Sequence, residues 1–140
     1  MTKRIFSIFG LVALMALLTG VLTAAAPLPV TTFELVGEGL PAVMNVGETY
    51  TVTVHVTSDQ PYTSVQAMAN PHYPGKGVVS VGGGDRAGQG TEATLQVDFV
   101  AKSTTERMEN GVAPISLVVG VRYGGGYVAV HSFDFWVQVP

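Results

Sequence analysis

The chain has 140 residues, 47% of them hydrophobic, enough for one domain with a real apolar core. It carries 7 Lys and Arg against 10 Asp and Glu, and charged residues make up only 12% of it, so it has no electrostatic footprint for nucleic acid and no polybasic patch for anionic lipid. There is no cysteine, which excludes disulfides, thiol chemistry, lipoprotein attachment and cysteine-held zinc or iron–sulfur sites.

Lys3 and Arg4 open the chain, and Ile5 to Leu22 then runs apolar, interrupted only by Ser7, Gly10, Thr19 and Gly20. Ala24, Ala25 and Ala26 follow. Charge, apolar core and small residues, in that order, mark a secretory signal. Residues 1–26 are therefore expected to be a signal peptide or an uncleaved membrane anchor, with residues 27–140 the exported domain. Pro27 disfavours a cut after Ala26, so cleavage after Ala25 is the expected event, with Thr23 three residues before the cut. Retention is the alternative: Ile5 to Leu22 as a helix reaches about 27 Å, just under the roughly 30 Å of a hydrocarbon core. Lys3 and Arg4 would then stay on the cytoplasmic side. The expected location is extracellular, cell-surface or periplasmic, with membrane contact only through residues 5–22 if they are retained. Removing Lys3 and Arg4 from the 7 cations leaves five against 10 anions, a net charge of −5 on the exported part.

Beyond Pro27 the chain reads as strands. Thr32 to Val36 carries Phe33 and Leu35. From Thr49 to Thr57, Tyr50, Val52, Val54 and Val56 alternate with Thr49, Thr51, Thr53, His55 and Thr57, a period of two with one face to a core. Gly47 and Glu48 turn into it, and Asp59, Gln60 and Pro61 end it. Ser64 to Ala69 and Val78 to Val81 are weaker strands. Two glycine-rich stretches, Gly82–Gly84 and Gly88–Gly90, flank Asp85 and Arg86 as a flexible hairpin loop. Thr91 to Lys102 points Ala93, Leu95, Val97 and Phe99 inward. Ser103 to Asn110 is either one helical turn capped by Ser103, with Glu106 three residues on, or a polar crossing between strands.

Ser116 to Tyr123 points Leu117, Val119, Val121 and Tyr123 inward, while Val118, Gly120 and Arg122 make a second face that is only partly wet. Gly124 to Gly126 form a tight hairpin loop. In Tyr127 to Val139 the apolar positions shift from even (Val128, Val130) to odd (Phe133, Phe135, Val137, Val139). That shift predicts a β-bulge near His131 and Ser132, or else Val130 and Trp136 facing a partner. About seven closely spaced strands give an all-β fold, two antiparallel sheets packed face to face.

The run Val46-Gly47-Glu48-Thr49-Tyr50-Thr51-Val52-Thr53-Val54-His55-Val56-Thr57 resembles the early strand of bacterial immunoglobulin-like (Ig-like) modules, in which such a turn leads into alternating Thr and Val. The glycine hairpin and the aromatic last strand are compatible with it. The resemblance implies an immunoglobulin-like sandwich over most of residues 30–140. The chain departs from antibody domains in having no paired cysteines and in carrying its single Trp, Trp136, on the last strand. A looser similarity to cohesin modules runs from Leu95 to Val119, with Asn70-Pro71-His72-Tyr73-Pro74 where those modules carry a Tyr-Asp-Pro run.

Candidate sites are few. A metal would need His55, His72 and His131 to converge, and their spacing gives no ligand motif, so no metal or other cofactor is expected. Asp85 is too isolated among its glycines for calcium, and Arg86 beside it repels a cation. Ser64, Ser80, Ser103, Ser116 and Ser132 lie in no nucleophile elbow. Glu92, Asp98 and Asp134 are the conceivable carboxylate set, with Glu92 and Asp98 on a water-facing side. No catalytic residue is assigned.

The recognition candidate is an aromatic patch of Tyr62, Met68, His72 and Tyr73 stiffened by Pro61, Pro71 and Pro74, with Trp136 a further binding residue. The plainer reading is that Tyr62 and Tyr73 cover one end of the sandwich. The expected function is non-catalytic protein–protein contact by an accessory or surface-associated subunit, with a protein partner or self-association. The alternatives are a membrane-anchored subunit of a larger complex, a fibre or pilus subunit donating Ala26 to Val36, and carbohydrate binding through Tyr62, Tyr73 and Trp136.

Overall fold

The computed structural model describes residues 25–140. The expected signal or anchor segment falls almost wholly outside them, and among the described residues no helix is long and apolar enough to cross a membrane. Alternating β-branched and polar residues build eight strands: β1 (Thr31–Val36), β2 (Thr49–Tyr62), β3 (Ser64–Ala69), β4 (Val79–Val81), β5 (Asp85–Ala87), β6 (Gly90–Ala101), β7 (Ala113–Arg122) and β8 (Val128–Val137). They pair antiparallel into two four-stranded sheets, in the orders β1-β2-β6-β4 and β5-β3-β7-β8. The domain is thus an all-β two-sheet sandwich.

Every second side chain of the long strands fills the seam between the sheets. Val52, Val54 and Val56 of β2 and Leu95, Val97 and Phe99 of β6 meet Val65 and Ala67 of β3 and Ile115, Leu117, Val119 and Val121 of β7 in one buried cluster. Burying a side chain of this size contributes about 1.5–3 kcal/mol, which is how the fold holds without a cross-link.

Three expectations change, and one open choice is decided. First, the glycine-flanked segment is not simply a loop: Asp85–Ala87 forms β5 on the edge of β3. Asp85 takes backbone N–H bonds from Arg86 and from Gln96 of the other sheet, both at 2.8 Å, so its carboxylate ties the sheets together. Second, Asp59, Gln60 and Pro61 do not end β2. The strand runs on to Tyr62 with a register shift between Thr57 and Tyr62, and the bend passes the chain through Thr63 into β3 of the second sheet.

Third, β8 contains no bulge at His131 and Ser132. It pairs with β7 without interruption from Val128 opposite Arg122 to Val137 opposite Ala113. Phe133, Phe135 and Val137 pack towards the core, whereas Val128 and Val130 are exposed on the other face. Apolar residues at both parities mean that both faces of the strand are apolar, not that the strand changes sides. Of the two readings of Ser103 to Asn110, the structure has the polar crossing, and Ser103 caps no helix. Its hydroxyl donates to the Gly77 carbonyl, and the crossing is strapped at Thr105, which is buried and exchanges hydrogen bonds with Val139.

At one side of the sandwich β1 lies over β8. The Phe33 and His131 rings stack at 5.4 Å, and His131 meets the Phe133 edge at 4.6 Å. Beyond β8, Gln138 donates its N–H to the Ala42 carbonyl and accepts from the Met44 N–H, at 2.8 and 2.9 Å.

Candidate functional site

The two outer faces of the sandwich differ in chemistry. That of the first sheet is a polar ladder: the Thr51 hydroxyl donates to Asp98 at 2.6 Å, and His55 lies 3.2 Å from both Thr94 and Glu92. Hydroxyls and charges pair there across the strands.

The outer face of the second sheet sets exposed apolar side chains among polar and charged ones, and strand register fixes its layout. One row across it reads Arg86, Gln66, Gly120, Val130; the next reads Ser64, Arg122, Val128; on the other side comes Met68, Val118, Ser132. Gly120 sits at the centre of three strands with open space where a Cβ would stand. Over it lies a groove of about 410 Å³ floored by Gly120 and Val118 and walled by Met68, Val128 and Val130. Met68 is 40% exposed, Val128 46%, and Val130 and Trp136 62%, so this one face holds four of the domain's large exposed apolar side chains. Trp136 stands farther along the same face, opposite Pro114, over a second hollow of about 270 Å³ lined also by Met108 and Val112.

Arg86 and Arg122 flank the groove. The ion pair among the described residues, His55 with Glu92, lies on the other sheet, so neither guanidinium has a carboxylate partner. The nearest acid along the face in register, Asp134, is engaged by the hydroxyls of Ser116 and Ser132 at 2.7 and 3.1 Å. The face therefore offers two free cations beside an apolar floor.

The structure scatters the residues that the sequence groups. Tyr62 ends β2 pointing inward and is 1% exposed; Tyr73 is also buried, with its hydroxyl donating to the Val79 carbonyl at 2.8 Å. Burial pushes both phenols above their ordinary pKa, helped at Tyr62 by Glu92 and Tyr123. They are core residues, and the aromatic patch is not formed. His72 is exposed in the loop after β3, its N–H bonded to Asn70 Oδ1. Of that set, Met68 and Trp136 lie on the outer face of the second sheet, and Pro74 lines the hollow beside Trp136.

The three histidines stand on different elements, and the described residues gather no group of three metal-ligating side chains. Glu92 and Asp98 lie on one outer face and Asp134 on the other. Sequence reasoning singles out neither Gly120 nor the two arginines as a site. The only signal was the second face of Ser116 to Tyr123, with Val118 beside Gly120 and Arg122.

No family model matches the chain, and no curated protein does. Among solved structures it is similar to the native conformation of E. coli alpha-2-macroglobulin, at 18% identity and a TM-score of 0.44 over 83% of this chain. The chain spans 7% of the length of that protein.

Proposed function

We propose that the domain is a non-catalytic, extracytoplasmic Ig-like module that makes protein–protein contact through the outer face of the second sheet. The observation that carries this reading is the groove over Gly120, where exposed valines and Met68 lie between Arg86 and Arg122. An exposed apolar surface rimmed by polar groups is the usual mark of a protein-binding surface. The free guanidiniums favour a partner that brings carboxylates, since planar Arg pairs with them in two-bonded fashion. The Ig-like assignment draws on strand order: β1-β2-β6-β4 facing β3-β7-β8 has the arrangement A-B-E-D facing C-F-G, with β5 an addition at one edge. Export draws on the charged, apolar and small-residue order of residues 3–26.

The test is affinity purification from the native envelope with the parent chain and an Arg86→Glu/Arg122→Glu variant, using Lys102→Glu as a charge control. A co-purifying protein retained by the control and lost at least tenfold by the double variant is expected. Equal recovery by all three, or recovery of nothing, overturns the reading. Mass spectrometry of the native N-terminus is expected to begin at Ala26; an intact Met1 or Thr2 start favours the anchored subunit instead.

A further inference from the structure

Of the four sheet edges, three are blunted. β4 and β5 are three residues long, and β1 is six residues with Glu34 at its middle. The fourth, β8, is ten residues without Pro, Gly, Lys or Arg, and it pairs on one side only. A long edge of this kind is a ready template for another strand.

The direction of its free backbone groups follows from alternation. Gln138 turns both its N–H and its C=O away from β7, towards Ala42 and Met44. Tyr123 and Tyr127, an odd-numbered pair, bond to each other across the hairpin. Val128, Val130, Ser132, Asp134 and Trp136 therefore present their backbone groups outward, and no other strand of the described residues lies beside them.

We infer that β8 pairs antiparallel with β8 of a second copy of this chain, about a two-fold axis at Ser132, joining the second sheets of two domains into one of eight strands. The inference rests on the protein-contact reading and names one partner. Register selects the axis. Centred on Ser132, the pairing runs Val128 opposite Trp136 and Val130 opposite Asp134, and stops short of Gln138, whose backbone is already engaged. Centred on Asp134, it would set two carboxylates face to face and collide at Gln138; centred on Val130, it would run only from Val128 to Ser132.

With Ser132 at the axis, the strand's single acid meets an apolar residue. The two copies of Asp134 stand about four residues apart in register, about 13 Å, which exceeds the Debye length in physiological salt. Val128 and Trp136, both exposed in one copy, cover each other as an aromatic and β-branched pair.

The chain has no cysteine, so Ser132→Cys reports directly. Across a hydrogen-bonded antiparallel pair, Cα atoms stand about 5.5 Å apart, within disulfide range. In the purified full chain, mild oxidation is expected to link most of the Ser132→Cys variant as dimer at micromolar concentration. Val128→Cys, whose copies would lie about 26 Å apart by strand rise, is expected to stay unlinked. Ser132→Lys, which sets like charges opposite each other, is expected to raise the dimer dissociation constant at least tenfold in sedimentation equilibrium, with an unchanged thermal midpoint at low concentration.

Equal linking at both cysteine positions, or a monomer by sedimentation at about 100 μM with no linking at Ser132→Cys, overturns self-pairing. Loss of a partner with the arginine variant while Ser132→Cys stays unlinked would leave the groove's contact standing and remove the dimer alone.

Discussion

Glu48 shows how one side chain secures a turn. Its N–H donates to the Asn45 carbonyl at 3.0 Å, closing a turn in which Gly47 takes a φ of +87°. Its carboxylate accepts from the Asn45 backbone N–H at 2.8 Å and from the Asn45 side-chain amide at 3.0 Å. The amide first, then the backbone N–H, holds its carboxyl below the ordinary 4.5, and the charge in turn pushes the Tyr50 phenol up. A carboxyl lowered in the folded state stabilises that state above its ordinary pKa and ceases to do so as pH falls through the lowered value. Glu48→Gln is expected to shift the urea midpoint down at neutral pH, and the gap from the parent is expected to close as pH falls below 4.5 and through the lowered value. A gap that is constant with pH would assign the effect to the turn's geometry instead. Val46-Gly47-Glu48 was legible as a turn because positive φ needs glycine; the double hold of Asn45 on Glu48 was not, since both readings of that carboxylate, solvated or bonded, fit the same letters.

At the scale of elements, alternation told the inward face of β2, β6 and β7 correctly, because one buried face imposes a period of two. It misled at β8, where the outward face is apolar as well, and at the end of β2, where Pro61 occupies a bend between sheets rather than a strand terminus. The crossing from Ser103 to Asn110 was open between two readings because its fixing contact is remote in sequence. The Thr105 hydroxyl donates to the Val139 carbonyl at 3.2 Å and accepts from the Val139 N–H at 3.0 Å, both buried. Thr105→Val keeps the shape but leaves the Val139 N–H unpaired, while the Val139 carbonyl still takes the Thr105 N–H. A loss of about 1–3 kcal/mol is expected from denaturant midpoints at unchanged slope. A variant within about 0.5 kcal/mol of the parent would show that this strap is not needed.

For the whole molecule, the two sheets share one seam, so they are expected to unfold together. Leu95 of β6 and Leu117 of β7 are buried on opposing sheets within one cluster. Leu95→Ala or Leu117→Ala is expected to cost about 2–5 kcal/mol each, against a total of about 5–15 kcal/mol for a domain. Far- and near-ultraviolet circular dichroism are expected to follow a single transition in both variants. Separate transitions would mean that the sheets hold independently. The same architecture gives the surface its asymmetry: one outer face is tied up in Thr, Asp and His contacts, and the other exposes Met68, Val128, Val130 and Trp136 beside two arginines.

The sequence alone determined that the domain is all-β, which strands carry the core and which of their sides turns inward, because hydrophobic periodicity is local and burial acts on it directly. The tertiary structure decided everything that depends on strand neighbours: β5, the bend in β2, and the burial of Tyr62 and Tyr73. It also decided that Arg86, Gln66, Gly120 and Val130, spread between positions 66 and 130 of the chain, stand in one row. Pairing order is a long-range property, and no window of the sequence contains both members of such a pair.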